Sequence, residues 1–418
     1  LHAWLAGSLD LAERELRELV RIRPDDVDAW YLLAETLYHG NPLRGRSVLE
    51  SKEAWERILA GDPDHLGALD HLGYLEWREG NEEKADSVIT RYLELDSTSD
   101  WAVYKEVFLA VARRDSAAES AVYPKVARGS DVGAFLSAFV AGQGGERATA
   151  LRFAEPLTDP VREPAVRRMG QLFQATIEIS RGRPRAALVA LEPVGGQDHD
   201  MYLEHKTLFA LAPLLDPSEA TLRALRSEVE AWDPASAEDV GASNPFWTPH
   251  REHHSMLRRY LLGLITARIG DLPEAERMAS ELAGESGPPG ASSAPTAFAA
   301  TIRAQSAWKG GDAAVALATL EAAPLNVAVD LTWNSAFFAH GYERFLRAEL
   351  LHAAGRHDEA LAWLSTFSEL FGEFSDLIFR GAAYLRMAQI QEELGQVDEA
   401  RGHYRAFVDL WRECEPEL

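Results

Sequence analysis

The chain has 418 residues, 46% of them apolar, and a formal net charge of −24 from 42 basic and 66 acidic residues. The apolar share excludes a structureless chain, and the acidic balance, with no basic run, excludes a binder of phosphate backbones. A single cysteine, Cys414, excludes an intrachain disulfide and a Cys-based zinc site, and no apolar run reaches the roughly 18 residues of a spanning helix.

By length alone the chain would hold roughly two or three ordinary domains. A repeat array escapes that rule, because each unit contacts mainly its neighbours. The sequence starts at Leu1 and runs straight into a helical pattern with no signal peptide. It reads as a fragment or a processed chain, and as cytoplasmic.

In chain order, Gly7 and Ala12 mark a unit that lacks its first helix. Ala34 and Gly40 belong to a second unit, whose turn is lengthened over residues 41–46. The next unit is the clearest. Leu69, Leu72 and Gly73 share a face of one helix, Gly80 and Asn81 break it, and Ala85, Val88, Ile89 and Tyr92 mark a second helix. Apolar spacings of three and four predict amphipathic helices, and the short Gly turn makes them antiparallel. Residues 100–165 keep the helical rhythm but lose the small residues, and read as degenerate units.

One spacing then recurs: a small residue, a Gly seven later, an Ala five after that. It is met at Gly73, Gly80, Ala85, then at Ala175, Gly182, Ala187, and at Gly263, Gly270, Ala275. It returns at Ala304, Gly311, Ala316, at Ala348, Gly355, Ala360, and at Ala388, Gly395, Ala400. The small residue and the Ala suit two backbones in close approach, where a larger side chain would cost about 1–3 kcal/mol. The Gly suits a left-handed helix end.

Three segments interrupt the rhythm besides the turn at 41–46. Residues 233–249 contain Pro234, Gly241, Pro245 and Pro249 and cannot form a regular helix. Residues 284–295 are rich in Gly, Pro and Ser and read as a flexible connection. Residues 326–334 form a further irregular stretch. The breaks give an N-terminal block, 1–232, an irregular Pro-rich insertion, 233–249, and a C-terminal block, 250–418. Stacking favours one continuous solenoid through all three, because isolated repeats expose apolar faces.

These helix pairs resemble the tetratricopeptide repeat. Trp30, Leu33 and Ala34 match the opening of one repeat, and Leu72 and Gly73 match another. Pro24 and Pro63 match the closing proline, and Met387, Ala388, Gly395, Ala400, Tyr404 and Phe407 match a late repeat. The interval from Ala85 to Ala187 is three times the family period of about 34 residues. The resemblance implies an all-α fold: an α-solenoid, a right-handed superhelix of about ten antiparallel helix pairs.

It also implies a concave groove lined by the first helix of each pair. Carried onto this sequence, the groove positions include Tyr31, Glu35, Tyr38, Asp70, Tyr74, Trp77, Arg78, Trp101 and Tyr104. That surface, aromatic and acidic, would hold a protein or peptide with basic and apolar residues. The Lys and Asn set with which family members clamp a terminal carboxylate is missing. Phe246 and Trp247, two large aromatics in the Pro-rich break, are either a lid on the solenoid or a binding anchor.

Chemistry finds weaker footing. His250 and His254, with Glu252 and His253 between them, lie one helical turn apart, a spacing that can hold zinc. The order is not His-Glu-x-x-His, and a helix start after Pro249 explains the cluster as well. Asp198, His199, Asp200 and His205 read as a solvated helix start with Asp198 or Asp200 as N-cap. No catalytic set and no cofactor motif is recognised.

The sequence therefore predicts a non-catalytic protein-interaction scaffold or sensor module. The stretch from Gly395 to Trp411, and that from Phe246 to His250, resemble repeat regions of large bacterial signalling proteins, in which a Ser/Thr kinase or a transcription-activator domain lies outside the repeats. A structural subunit that self-associates through solenoid ends, forming a homo-oligomer, is a second reading. A metal-dependent enzyme built on His250 and His254 is a third.

Overall fold

The computed structural model describes residues 7–234, 251–287, 291–323, 329–332, 335–368 and 374–416. Phe246, Trp247 and His250, with most of the predicted insertion, lie outside the described residues. The described residues are helical, with no strand among them.

The N-terminal helices are α1 (Leu9–Ile22), α2 (Val27–Gly40), α3 (Lys52–Gly61), α4 (Leu66–Arg78), α5 (Glu82–Leu95), α6 (Asp100–Ala112) and α7 (Ser116–Arg128). The middle of the chain forms α8 (Asp131–Gly144), α9 (Arg147–Ala154), α10 (Pro164–Ser180), α11 (Pro184–Gly195), α12 (His199–Leu211) and α13 (Glu219–Ala231). Then follow α14 (His254–Ile269), α15 (Leu272–Ala283), α16 (Ala294–Lys309), α17 (Ala313–Ala322), the single turn α18 (Val329–Thr332), α19 (Gly341–Ala353), α20 (His357–Ser365), α21 (Leu377–Glu393) and α22 (Val397–Leu410).

The starts of these helices are written locally. Asp26, Ser99, Asp115, Ser130, Asp198, Ser218 and Asp312 each accept a backbone N–H of the first turn through their side chains. That satisfies a donor the helix cannot satisfy itself.

The ends follow the predicted glycines. Gly80, Gly182, Gly270, Gly311, Gly355 and Gly395 all have left-handed backbones. In each case the residue after the glycine donates its N–H to a carbonyl five residues back, as from Asn81 to Glu76 and from Gln396 to Gln391. This closes the helix and turns the chain into its antiparallel partner. The alanines that complete the spacing, from Ala85 to Ala400, are all buried. At Gly73 an added Cβ would lie 2.7 Å from Ile89 on α5, so the small residue does mark a close helix–helix approach. At Gly263 the nearest neighbour is Ile302 of the next repeat, at 2.3 Å.

Residues 100–165 are more regular than their sequence suggests. In the pair α6–α7, Arg114 takes the left-handed position that Gly holds elsewhere, with φ of 52°, and Asp115 N–H still reaches the Ala110 carbonyl. In the pair α8–α9, Ala138, Gly145 and Ala150 carry the same small–Gly–Ala spacing, with both alanines fully buried. Gly145 there is extended rather than left-handed. In the first of these pairs Val107 and Glu119 stand where the small residue and the Ala fall elsewhere.

The lengthened turn after α2 is an ordered structure. It holds two short 3-10 turns, Pro42–Arg44 and Val48–Ser51. Arg44 and Arg46 both reach the Glu13 carboxylate, at 2.8 and 2.7 Å. Part of the predicted connection at 284–295 is ordered by the helix that follows it. Pro295 stands in the first turn of α16, where its missing N–H costs nothing, and Ala291 is fully buried. Helices α13 and α14 flank residues 235–250 and pack on one another, and one apolar cluster contains residues from both sides, including Val229, Trp232, Leu257 and Leu261.

The last repeat returns to the middle of the chain. Trp411 donates its indole N–H to the Ser180 carbonyl at 3.1 Å and covers Gly182 and Gly381. The Glu415 carboxylate accepts the Arg185 and Ala186 N–H groups at 3.1 and 3.0 Å, capping α11 from a distant part of the sequence. Arg380 on α21 donates to the Gln143 carbonyl at 2.7 Å, and Phe374 packs on Phe173 with ring centroids 3.8 Å apart. Trp363 lies against Gly45, whose left-handed backbone and lack of Cβ admit the indole. The solenoid is thus folded back on itself.

Candidate functional site

The predicted groove residues come from three consecutive first helices, α2, α4 and α6. Their side chains divide into two groups. Tyr38, Tyr74 and Tyr104 are buried between repeats. Tyr31, Trp77 and Arg78 are partly buried, and Trp101 is 44% exposed. Trp101 meets Tyr104 edge-on at 5.9 Å, so a buried ring supports an exposed one. Trp77 meets Phe108 at 5.6 Å and borders a shallow apolar niche between α4, α6 and α8, with Val111 and Val140 in its wall.

The two acids of this face are held by cations of the chain itself. Asp70 pairs with Lys105, a lysine that is 2% exposed. The ammonium lies 4.1 Å from the Tyr104 ring centroid and 5.5 Å from that of Tyr92. Burial drives the Lys105 pKa well below its ordinary value. Glu35 lies 3.2 Å from His39 Nε2 and 3.9 Å from His71 Nε2. Burial opposes its ionisation, but hydrogen bonds from His39 and Tyr31 and the field of His71 outweigh it and hold the carboxyl low. Lys105, His39 and His71 define the electrostatics of the face, and the groove pattern did not find Lys105 or His71. Each sits about one repeat length from its partner acid in sequence, so spacing within one helix carries no signal for them.

Of the predicted histidine pair, His250 lies outside the described residues. His254 is buried and its Nδ1 lies 2.7 Å from Asp200, whose other oxygen accepts the Trp232 indole N–H at 2.6 Å. His253 is buried against Phe338. Asp198 caps α12 as read from sequence, accepting the Met201 N–H. Asp200 belongs instead to a buried polar group with His254 and Glu204. Burial pushes the Glu204 carboxyl up to about 7, with Asp198 and Asp200 adding to it and Ser335 and His254 opposing. Cys414 is partly buried beside Gly182 and has no nucleophile's setting.

Two other groups bring metal-ligand atoms together among the described residues: Glu35, His39 and His71, and His352, His357 and Glu393. No helix among the described residues is long and apolar enough to cross a membrane.

Comparison with known proteins adds the following. The tetratricopeptide repeat family profile matches residues 1–41 and, in a second form, residues 382–412. No curated protein sequence matches. Among solved structures, the chain is similar to the TPR domain of P58(IPK), at 15% identity over 94% of this chain and 96% of that one, with a TM-score of 0.23. It is also similar to a chain in the complex of Naa15/Naa10 bound to HypK-THB, at 12% identity over 94% of this chain and 64% of that one, with a TM-score of 0.24.

Proposed function

Starting from a chain that carries tetratricopeptide repeats at both ends, we propose that it is a non-catalytic scaffold whose N-terminal groove, on α2, α4 and α6, holds a peptide or protein segment with apolar and basic residues. The observation that supports this most is the exposed Trp101 braced by a buried Tyr104, with Tyr31 and Trp77 partly exposed on the neighbouring helices. Rigid aromatics of this kind are the usual anchors of an interface. The net charge of −24 favours a cationic partner through the field of the whole chain rather than through Glu35 and Asp70, which are already paired.

The test is a peptide-display selection on the immobilised chain. Enriched peptides should combine apolar and basic residues and lose binding to Trp101→Ala and Tyr31→Ala variants that keep the helical circular dichroism of the parent. Peptides that bind parent and both variants equally would overturn the groove assignment.

The resemblance of the C-terminal motif supports a wider setting, as part of a larger cytoplasmic bacterial signalling or regulatory protein. Self-association through solenoid ends is the second reading. The packing of α21 on α10 and of Trp411 on the Ser180 carbonyl occupies part of that end. Sedimentation at several concentrations decides between them.

A further inference from the structure

We propose that Glu35, His39 and His71 form a site for a divalent transition-metal ion of the zinc class, joining two consecutive repeats at the edge of the groove. Glu35 and His39 stand one helical turn apart on α2, and His71 comes from α4 of the next repeat. Their ligand atoms all lie within 4.8 Å of one another. The glutamate oxygens are 3.2 Å from His39 Nε2 and 3.9 Å from His71 Nε2. Two ligands bound tetrahedrally to one zinc ion sit about 3.4 Å apart, so the group is near ligating geometry already.

The histidine chemistry supports the assignment independently. His71 Nδ1 lies 2.7 Å from the Gly67 carbonyl. A carbonyl only accepts, so Nδ1 carries a proton and Nε2 is left as the ligand atom, on the side of Glu35. A ligating histidine is typically oriented this way by a hydrogen bond from its other nitrogen. The ring is also fixed by stacking on the fully buried Trp55, with centroids 4.3 Å apart and planes 11° from parallel. Two imidazoles and one carboxylate are a zinc-type donor set, and three protein ligands leave a further position to water. The group His352, His357 and Glu393 lacks these supports. Its glutamate side chain is 53% exposed.

The experiment is a zinc titration of the full chain, stripped with a chelator and followed by competition with a chromophoric chelator. Cobalt replacement gives an independent readout in the visible bands of a tetrahedral ion. The expected result is one ion per chain, with affinity reduced at least about 10- to 100-fold by Glu35→Gln, His39→Asn and His71→Asn, and unchanged by His352→Asn. His71→Asn risks disturbing the Trp55 stack, so His39→Asn, at the partly exposed end of α2, is the decisive variant, checked for native circular dichroism. A folded His39→Asn protein that binds zinc as the parent does overturns the proposal, as does a parent with no saturable binding or one whose only site is lost on His352→Asn.

Discussion

Replacing Glu204 by Gln should make the protein more stable at neutral and alkaline pH and leave it nearly unchanged in mild acid. The carboxyl is buried, and its pKa is pushed from 4.5 to about 7, chiefly by burial. Between those values the folded chain binds a proton that the unfolded chain has released. Stability therefore falls as pH rises through that window. The full cost at high pH is about 3 kcal/mol, from about 1.4 kcal/mol for each pH unit of the shift. The glutamine retains an oxygen to accept the Ser335 hydroxyl, which Glu204 accepts now. Thermal unfolding of parent and variant at about pH 5 and about pH 8 measures it. The variant's advantage should be several-fold larger at the higher pH. An equal difference at both values, or a variant less stable at both, would refute the reasoning.

Four further outcomes follow from particular contacts. Asp70→Asn leaves the buried Lys105 ammonium without its carboxylate and should cost about 3–5 kcal/mol in urea unfolding. A binding loss in that variant therefore reports stability as well as contact. Trp101→Ala removes an exposed ring and should change stability by less than about 0.5 kcal/mol while abolishing peptide binding. Gly80→Ala and Gly182→Ala both force a left-handed backbone on alanine, at about 1–2 kcal/mol. Nothing lies within 4 Å of an added Cβ at Gly80, whereas the Trp411 ring lies 2.8 Å away at Gly182. The second variant should therefore lose more, and hydrogen exchange should show the loss in α22. Gly263→Ala brings a Cβ to 2.3 Å of Ile302 and should cost about 1–3 kcal/mol, visible as a lowered unfolding midpoint.

The site was legible only in part. The groove positions follow from helix periodicity, so Tyr31, Trp77 and Trp101 were placed on one run of helices. Periodicity does not say how far a neighbouring repeat covers each position. Tyr38, Tyr74 and Tyr104 share the pattern and are buried by that neighbour. Glu35 and Asp70 fall on the face that the sequence predicts to be acidic, and His71 and Lys105 from the following repeat hold them. The His250–His254 spacing is a short signature within one turn of sequence. The group of Glu35, His39 and His71 spans two repeats and has no short signature.

What the sequence determined by itself is the repeat. Left-handed helix ends require Gly, close backbones require small residues, and helix starts require a capping oxygen. All three are local demands, met within a few residues, and they recur from Gly80 to Gly395. Arg114 shows the margin of that code: a whole repeat can hold its geometry with the wrong residue at the turn. Only the tertiary structure decided how the repeats close. The contacts of Trp411 with Ser180, Glu415 with α11, Arg380 with Gln143 and Trp363 with Gly45 join residues hundreds of positions apart. Such contacts depend on the curvature accumulated over many units, a sum of small rotations that no single unit encodes.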